Sequence, residues 1–164
     1  MKKLFYIRIL LFSCISIPFS GNSQINNDKI HLIALQKKLI GKKLLFGKWT
    51  KKGDTETHLT YLGIVKTNQG KTYKIMNSSW IWGLSQRSTN RILIFNGKNQ
   101  YLGNYPVTVY KDLPTKLTNK VLIFQNTDSQ CNKNIASKIS LKNGLPKKIF
   151  RACNNGYGDI YVFN

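Results

Sequence analysis

Carboxylates are scarce in this 164-residue chain: Glu56 is its only glutamate, and Asp28, Asp54, Asp112, Asp128 and Asp159 are its only aspartates. Histidine is rarer still, with His31 and His58 alone, so acid–base or metal chemistry has few places to sit. No Gly-rich phosphate loop, no nucleophile elbow and no Cys-x-x-Cys occurs, which sets aside phosphate-loop enzymes, elbow-type serine hydrolases and thioredoxin-like redox proteins. No fixed repeat is present either. Tyr-Leu-Gly recurs at 61 and 101 and Leu-Ile-Phe at 93 and 122, but the two offsets differ, so a solenoid is excluded. Without a long Pro, Ser or Gly linker, residues 24–164 read as a single domain with enough chain to bury a core.

The only sustained apolar run is Ile9 to Phe19, too short to cross a bilayer as a helix. Lys2, Lys3 and Arg8 precede it and small or polar residues follow, the layout of a secretory signal peptide over residues 1–23. Cleavage is expected after Ser23, with lipidation at Cys14 as the alternative. The mature chain is then expected to be exported, to the periplasm, the outer membrane surface or the exterior, and to carry no transmembrane segment.

What is abundant is positive charge. Lys and Arg number 26 against 6 acids, a formal net charge of +20, or about +17 once the leader's three cations are removed. A bias toward Lys, Asn and Ile would also supply acids, so their scarcity favours a functional basic surface over drift. Such a surface adheres to anionic polymers or to the cell envelope. Because lysine dominates, the attraction would be of point charges, without sequence reading.

Two cysteines remain after cleavage, Cys131 and Cys153, an even count that predicts a disulfide in an exported chain, with two buried thiols as the alternative. Between them lie two candidate strands around Lys142-Asn143-Gly144. Folding a hairpin about that turn brings Cys131 opposite residue 155, within a bulge of Cys153.

Asn27 and Asp28 before an apolar pattern and Gly41 after it predict one short amphipathic helix over about 28–40. Beyond Leu44, nine segments rich in β-branched and aromatic residues are separated by turn sequences such as Lys-Gly-Asp and Asn-Gly-Lys-Asn. The fold class is therefore mainly β: a short N-terminal helix, then an antiparallel barrel or sandwich of about eight to nine strands.

Gly47-Lys48-Trp49, placed after a short helix and at the first strand, resembles the Gly-x-Trp of lipocalin-like proteins. That resemblance implies an up-and-down barrel with the tryptophan packed across one end and a small apolar ligand inside. GYGDIYVF, at 156–163, has a spacing similar to the terminal signal of outer-membrane β-barrels. Lysines on both faces of KTYKIMNS and NIASKISL would put charge into lipid, which sets the reading against a membrane barrel.

Two clusters carry candidate chemistry. In SSWIWGLSQRSTNR (78–91), alternation puts Tyr73, Ile75 and Ile81 on one face of a strand and Lys74, Met76, Ser78, Trp80 and Trp82 on the other, with LSQRSTN as a polar loop. Trp80 and Trp82 with Arg87 and Arg91 are suited to stack a ring and neutralise an anion; buried indoles beside incidental arginines are the competing reading. In KKGDTETHL, Asp54, Glu56 and His58 recur at every second position, so an extended segment points all three to one side. Glu56 and His58 are the weak catalytic candidates for a secreted phosphodiester-type hydrolase. The leading expectation is a non-catalytic binder of an acidic glycan, lipopolysaccharide or nucleic acid, needing no cofactor or metal. A hydrolase and a lipocalin-like carrier are the alternatives.

Overall fold

The computed structural model describes residues 22–164, so the expected leader, apart from its last two residues, and Cys14 lie outside the described residues. Helix α1 spans Asn22–Lys37. It starts ahead of the Asn27–Asp28 signal, because no proline or glycine interrupts the chain from residue 22, and it stops three residues before position 40. Lys38 turns to φ 50°, which breaks the helical run, and Gly41 at φ 73° donates its N–H to Tyr61 O at 2.9 Å.

Ten strands follow, all paired antiparallel. The first five form a meander: β1 (Lys43–Gly47), β2 (Glu56–Lys66), β3 (Thr72–Trp82), β4 (Arg87–Asn96) and β5 (Tyr101–Val107), hydrogen-bonded in chain order. A 3-10 turn at Tyr110–Asp112 leads to a three-stranded sheet of β6 (Lys116–Thr118), β7 (Val121–Gln125) and β8 (Ala136–Ser140). The chain ends in the hairpin β9 (Lys148–Asn154) and β10 (Tyr157–Val162). Strand β6, three residues long, lies outside the nine segments that the sequence predicts. Its hairpin with β7 turns on Asn119 and Lys120, both at positive φ, the geometry of a two-residue type I′ turn.

Both faces of the meander are buried, which explains why its strands are apolar on alternate residues without a clean polar face. On one side Ile75, Ile92, Ile94 and Tyr105 meet Phe124, Ile149 and Tyr161 from the two small sheets. On the other, Leu59, Met76, Leu93 and Phe95 pack under Ala34 and Leu35 of α1. Met76 is fully buried, so the mixed face of β3 is core along the stretch the helix covers. The three sheets are layered as a sandwich, and among the described residues no closed barrel forms. The side chains of this core pack in the space between the sheets.

Cys131 and Cys153 are joined as a disulfide. The hairpin expected to bring them together does not exist. β8 pairs with β7 (Val121↔Ser140) and β9 pairs with β10 (Tyr161↔Ile149), so the turn at Lys142–Gly144 is a crossing between sheets. Leu141 is drawn into the core, and Pro146 has no N–H to give a ladder; its carbonyl instead accepts the Tyr105 hydroxyl at 2.6 Å. The bridge is registered by Asn132 N–H donating to Cys153 O at 2.8 Å.

The last hairpin is tied to the meander by a pair of backbone bonds, Asn104 N–H to Asn164 O and Asn164 N–H to Asn104 O, each 2.9 Å. That approach requires Gly103: it sits at φ 147°, and a Cβ there would lie 2.3 Å from Asn164 O.

Candidate functional site

The stretch SSWIWG ends β3, and the chain reverses through Gly83 (φ 69°) and Gln86 (φ 53°), with Gln86 N–H on Gly83 O. Only the first three residues of LSQRSTN belong to the turn. Strand β4 starts at Arg87, because every residue from 87 to 90 finds a ladder partner on β3 despite its polarity. Trp82 faces Arg87, Trp80 faces Thr89, and Ser78 faces Arg91. The two indoles stack with centroids 5.7 Å apart at 25°, and the Arg87 guanidinium lies 5.8 Å from the Trp82 ring centre. Trp82 Nε1–H donates to Thr89 Oγ1 at 3.0 Å, which fixes the ring. Both tryptophans are half-buried, at the end of the sheet face that α1 covers further along.

Arg91 is brought to the same face but not to the same place. It lies four residues along β4 from Arg87, about 13 Å at strand rise. Its neighbour is the helix: burial first, with the charge of Arg91 adding to it and that of Asp28 opposing, holds His31 below the usual imidazole range. None of the four principal clefts of the described residues is lined by Trp80 or Trp82, so this cluster is a surface platform rather than a pocket.

Glu56 and His58 open β2 on the opposite face, beside Ile81 and Ser79 of β3. Asp54 does not join them. It belongs to the preceding turn, where it accepts the Thr50 hydroxyl at 2.5 Å. His58 Nε2 is hydrogen-bonded to Glu56 Oε1, and the other carboxylate oxygen accepts Trp49 N–H at 3.2 Å. The His58 bond first, and the Trp49 bond second, hold the Glu56 carboxyl below its ordinary value. Trp49 is held in turn by its indole N–H on Gly83 O at 2.8 Å. The chain reaches this position because β1 stops at Gly47 (φ 73°), where a Cβ would strike Thr55 O at 2.4 Å. Gly47-Lys48-Trp49 therefore closes the first strand instead of opening it, and its tryptophan walls a cleft between strand ends.

That cleft measures about 470 Å³ and is lined by Lys43, Lys48, Trp49, Glu56, His58 and Ser88, among others. A second, of about 290 Å³, shares His58, Ser79 and Tyr110 with it and runs on to Asn77 and Pro114. Tyr110, from the 3-10 turn, meets His58 edge-on at 6.5 Å, and Lys43 Nζ lies 5.4 Å from its ring centre. Asn77 donates from Nδ2 to Pro114 O at 2.8 Å, while its buried Oδ1 has no hydrogen-bond partner among the described residues.

Sequence reasoning missed Lys43, Lys48, Asn77, Ser79, Ser88 and Tyr110 as lining residues. Strand alternation places Ser79 beside His58 once the β2–β3 register is known, but no local pattern announces Tyr110, which arrives from a separate turn. Among the described residues no group of three or more His, Cys, Asp or Glu is placed to hold a metal ion, and no helix is long and apolar enough to cross a membrane. No family model matches the chain, and the comparisons with curated proteins and with solved structures return no match.

Proposed function

We propose that the protein is an exported, non-catalytic binding module for an anionic partner at the cell envelope, of the class of acidic glycan, lipopolysaccharide or nucleic acid. Its basic surface supplies the attraction, and Trp80, Trp82 and Arg87 supply the platform, with Arg91 a secondary cation. The observation that carries this reading is how little of the positive charge is used internally. Among the described residues Lys111 is the one lysine in an ion pair, with Asp128 at 3.2 Å. Asp112 and Asp159 serve Arg151, and Glu56 serves His58. Most of the remaining cations therefore face water, where they exchange small ions for a polymer. The leader-like residues 1–23 and the disulfide support export.

Binding of the purified chain to heparin, lipopolysaccharide or single-stranded DNA is expected to weaken roughly a hundredfold between about 50 and 200 mM salt, as loss of about four ionic contacts would give. Trp82→Ala is expected to weaken it a further tenfold or so, the worth of one stacked ring. Affinity independent of salt, followed by fluorescence titration, would count against the whole reading; affinity independent of Trp82 would remove the platform alone.

A second reading is favoured by the Glu56–His58 bond at an open cleft. There Glu56 orients the imidazole through Nε2, leaving Nδ1 to take a proton from water attacking a phosphodiester. Bis(p-nitrophenyl) phosphate turnover that falls at least a hundredfold in both His58→Ala and Glu56→Ala would establish it. Turnover absent from the wild type, or unchanged in the two variants, would end it.

A further inference from the structure

We infer that the double cleft behind Trp49 is a binding site for a saccharide bearing one anionic group, a carboxylate or a phosphate. The site lies on the face of the meander opposite the Trp80–Trp82 platform, so it stands apart from the platform reading and shares its cleft with the Glu56–His58 pair. Three features of its lining select the ligand.

The first is charge. Lys43 and Lys48 bring two cations and Glu56 one carboxylate, so the larger compartment carries an excess of positive charge that an anionic group offsets. Lysine presents a point charge with rotatable donors, which suits one oxygen of a carboxylate or phosphate rather than a planar fork.

The second is the supply of acceptors. Glu56 lines the larger compartment as a carboxylate, and the Asn77 side chain is among those lining the smaller. Ser79 spends its proton on Asn90 Oδ1 at 2.7 Å, which leaves its oxygen lone pairs to accept. Acceptors that line a cleft call for donors on the ligand. Near neutral pH inorganic phosphate brings only one or two hydroxyl donors; a sugar ring brings several. Ser88 completes the set from the other side. Its oxygen accepts Asn90 Nδ2 at 3.2 Å, so its own proton is free to donate into the cleft.

The third is shape and rigidity. Trp49 and Tyr110 offer flat apolar walls, and the compartments meet at His58, Ser79 and Tyr110. Trp49 is pinned at both its backbone and its indole N–H, and Glu56 at both oxygens, so the lining is set before a ligand arrives. The larger compartment falls within the range typical of small-ligand sites.

The chain's three tryptophans, Trp49, Trp80 and Trp82, make the test direct, because each gives one indole N–H resonance in a nitrogen-15 spectrum. The full mature chain is titrated separately with glucuronate, glucose 6-phosphate, glucose and inorganic phosphate. Glucuronate or glucose 6-phosphate is expected to shift the Trp49 resonance saturably in the millimolar range, leaving Trp80 and Trp82 in place. Whichever of the two binds tighter identifies the anionic group. Glucose and inorganic phosphate are expected to bind at least about tenfold more weakly, since glucose lacks the charge and phosphate lacks the ring and most of the donors. Lys43→Ala with Lys48→Ala, on exposed side chains, should cost about tenfold for the acidic sugar and little for glucose. Ser88→Ala provides a separate, smaller loss. The inference is overturned if neither acidic sugar moves Trp49, if phosphate binds as well as the sugar phosphate, if glucose binds as well as glucuronate, or if the lysine variant binds like the wild type. A shift confined to Trp80 and Trp82 also overturns it, while leaving the platform reading intact.

Discussion

Arg151→Met is expected to lower folding stability by about 3–5 kcal/mol, the largest effect of any single exchange considered for this chain. Arg151 is 1% exposed, and its Nη2 lies 2.8 Å from Asp112 Oδ1, with Asp159 at 3.7 Å from Nη1. Tyr161 donates its hydroxyl to the other Asp112 oxygen at 3.2 Å. The network binds the 3-10 turn to both strands of the last hairpin. Burial pushes the Asp112 carboxyl above its ordinary value, and Arg151 first, then Tyr161, pull it back. Methionine fills much of the space but leaves Asp112 buried without its counter-charge. In the variant the folded-state value rises further above the unfolded one. A carboxyl raised on folding contributes its stability below the unfolded value and loses it as pH climbs through the folded one. The deficit should therefore be greatest at pH 7 and shrink toward pH 5. Urea unfolding at the two pH values reads both quantities; a deficit under about 1 kcal/mol, or one flat with pH, would mean that the charge pair is not what holds this corner.

Opening the Cys131–Cys153 bridge comes next, with an expected cost of about 3 kcal/mol for a loop of this length. The two cysteines are 22 residues apart, and the bridge ties the segment before β8 to the end of β9, which belong to different sheets. The paired exchange Cys131→Ser and Cys153→Ser should lower the melting temperature by roughly 10 °C for a domain of this size. Reduction of the wild type should reproduce the shift. The two sites are coupled, since the Arg151 guanidinium nitrogens lie 3.8 and 3.9 Å from Cys131 Sγ. The triple variant should therefore lose less than the sum of the separate losses. Strict additivity would show that the guanidinium and the bridge act independently.

Much of the fold was legible because it is written in local chemistry. Alternation and turn residues mark nine of the ten strands, and the helix announces itself by its apolar spacing. What local chemistry does not carry is partnership. Lys142-Asn143-Gly144 reads as a hairpin turn, yet it joins two sheets, because β7 and β10 offer β8 and β9 better partners elsewhere in the chain. The polar run Leu84–Asn90 reads as loop, yet from Arg87 onward it is strand, because the tight reversal at Gly83–Gln86 forces pairing with β3 whatever the side chains. The site divides the same way. Trp80, Trp82 and Arg87 meet through neighbouring strands, so their proximity was visible. Arg91 was included by sequence distance and is placed apart by the strand rise. Glu56 with His58 was visible from spacing, but the cleft around them needs Trp49 beyond β1 and Tyr110 from a turn about fifty positions away, and no sequence window holds all of them.

The backbone bonds between Asn104 and Asn164 bear on how the molecule is assembled in time. Strands β1 to β5 each pair with a chain neighbour, so the meander closes through short loops and forms early. The last hairpin has its own local pairing but must then travel back to β5, a long-range closure that carries a larger entropic cost and comes late. Until it docks, the part of β5 that β10 lies against stands open beside Gly103, while β7 still packs on the same face. In that interval the hairpin of a second chain fits as well as the chain's own, so at high concentration exchange between molecules competes with closure within one.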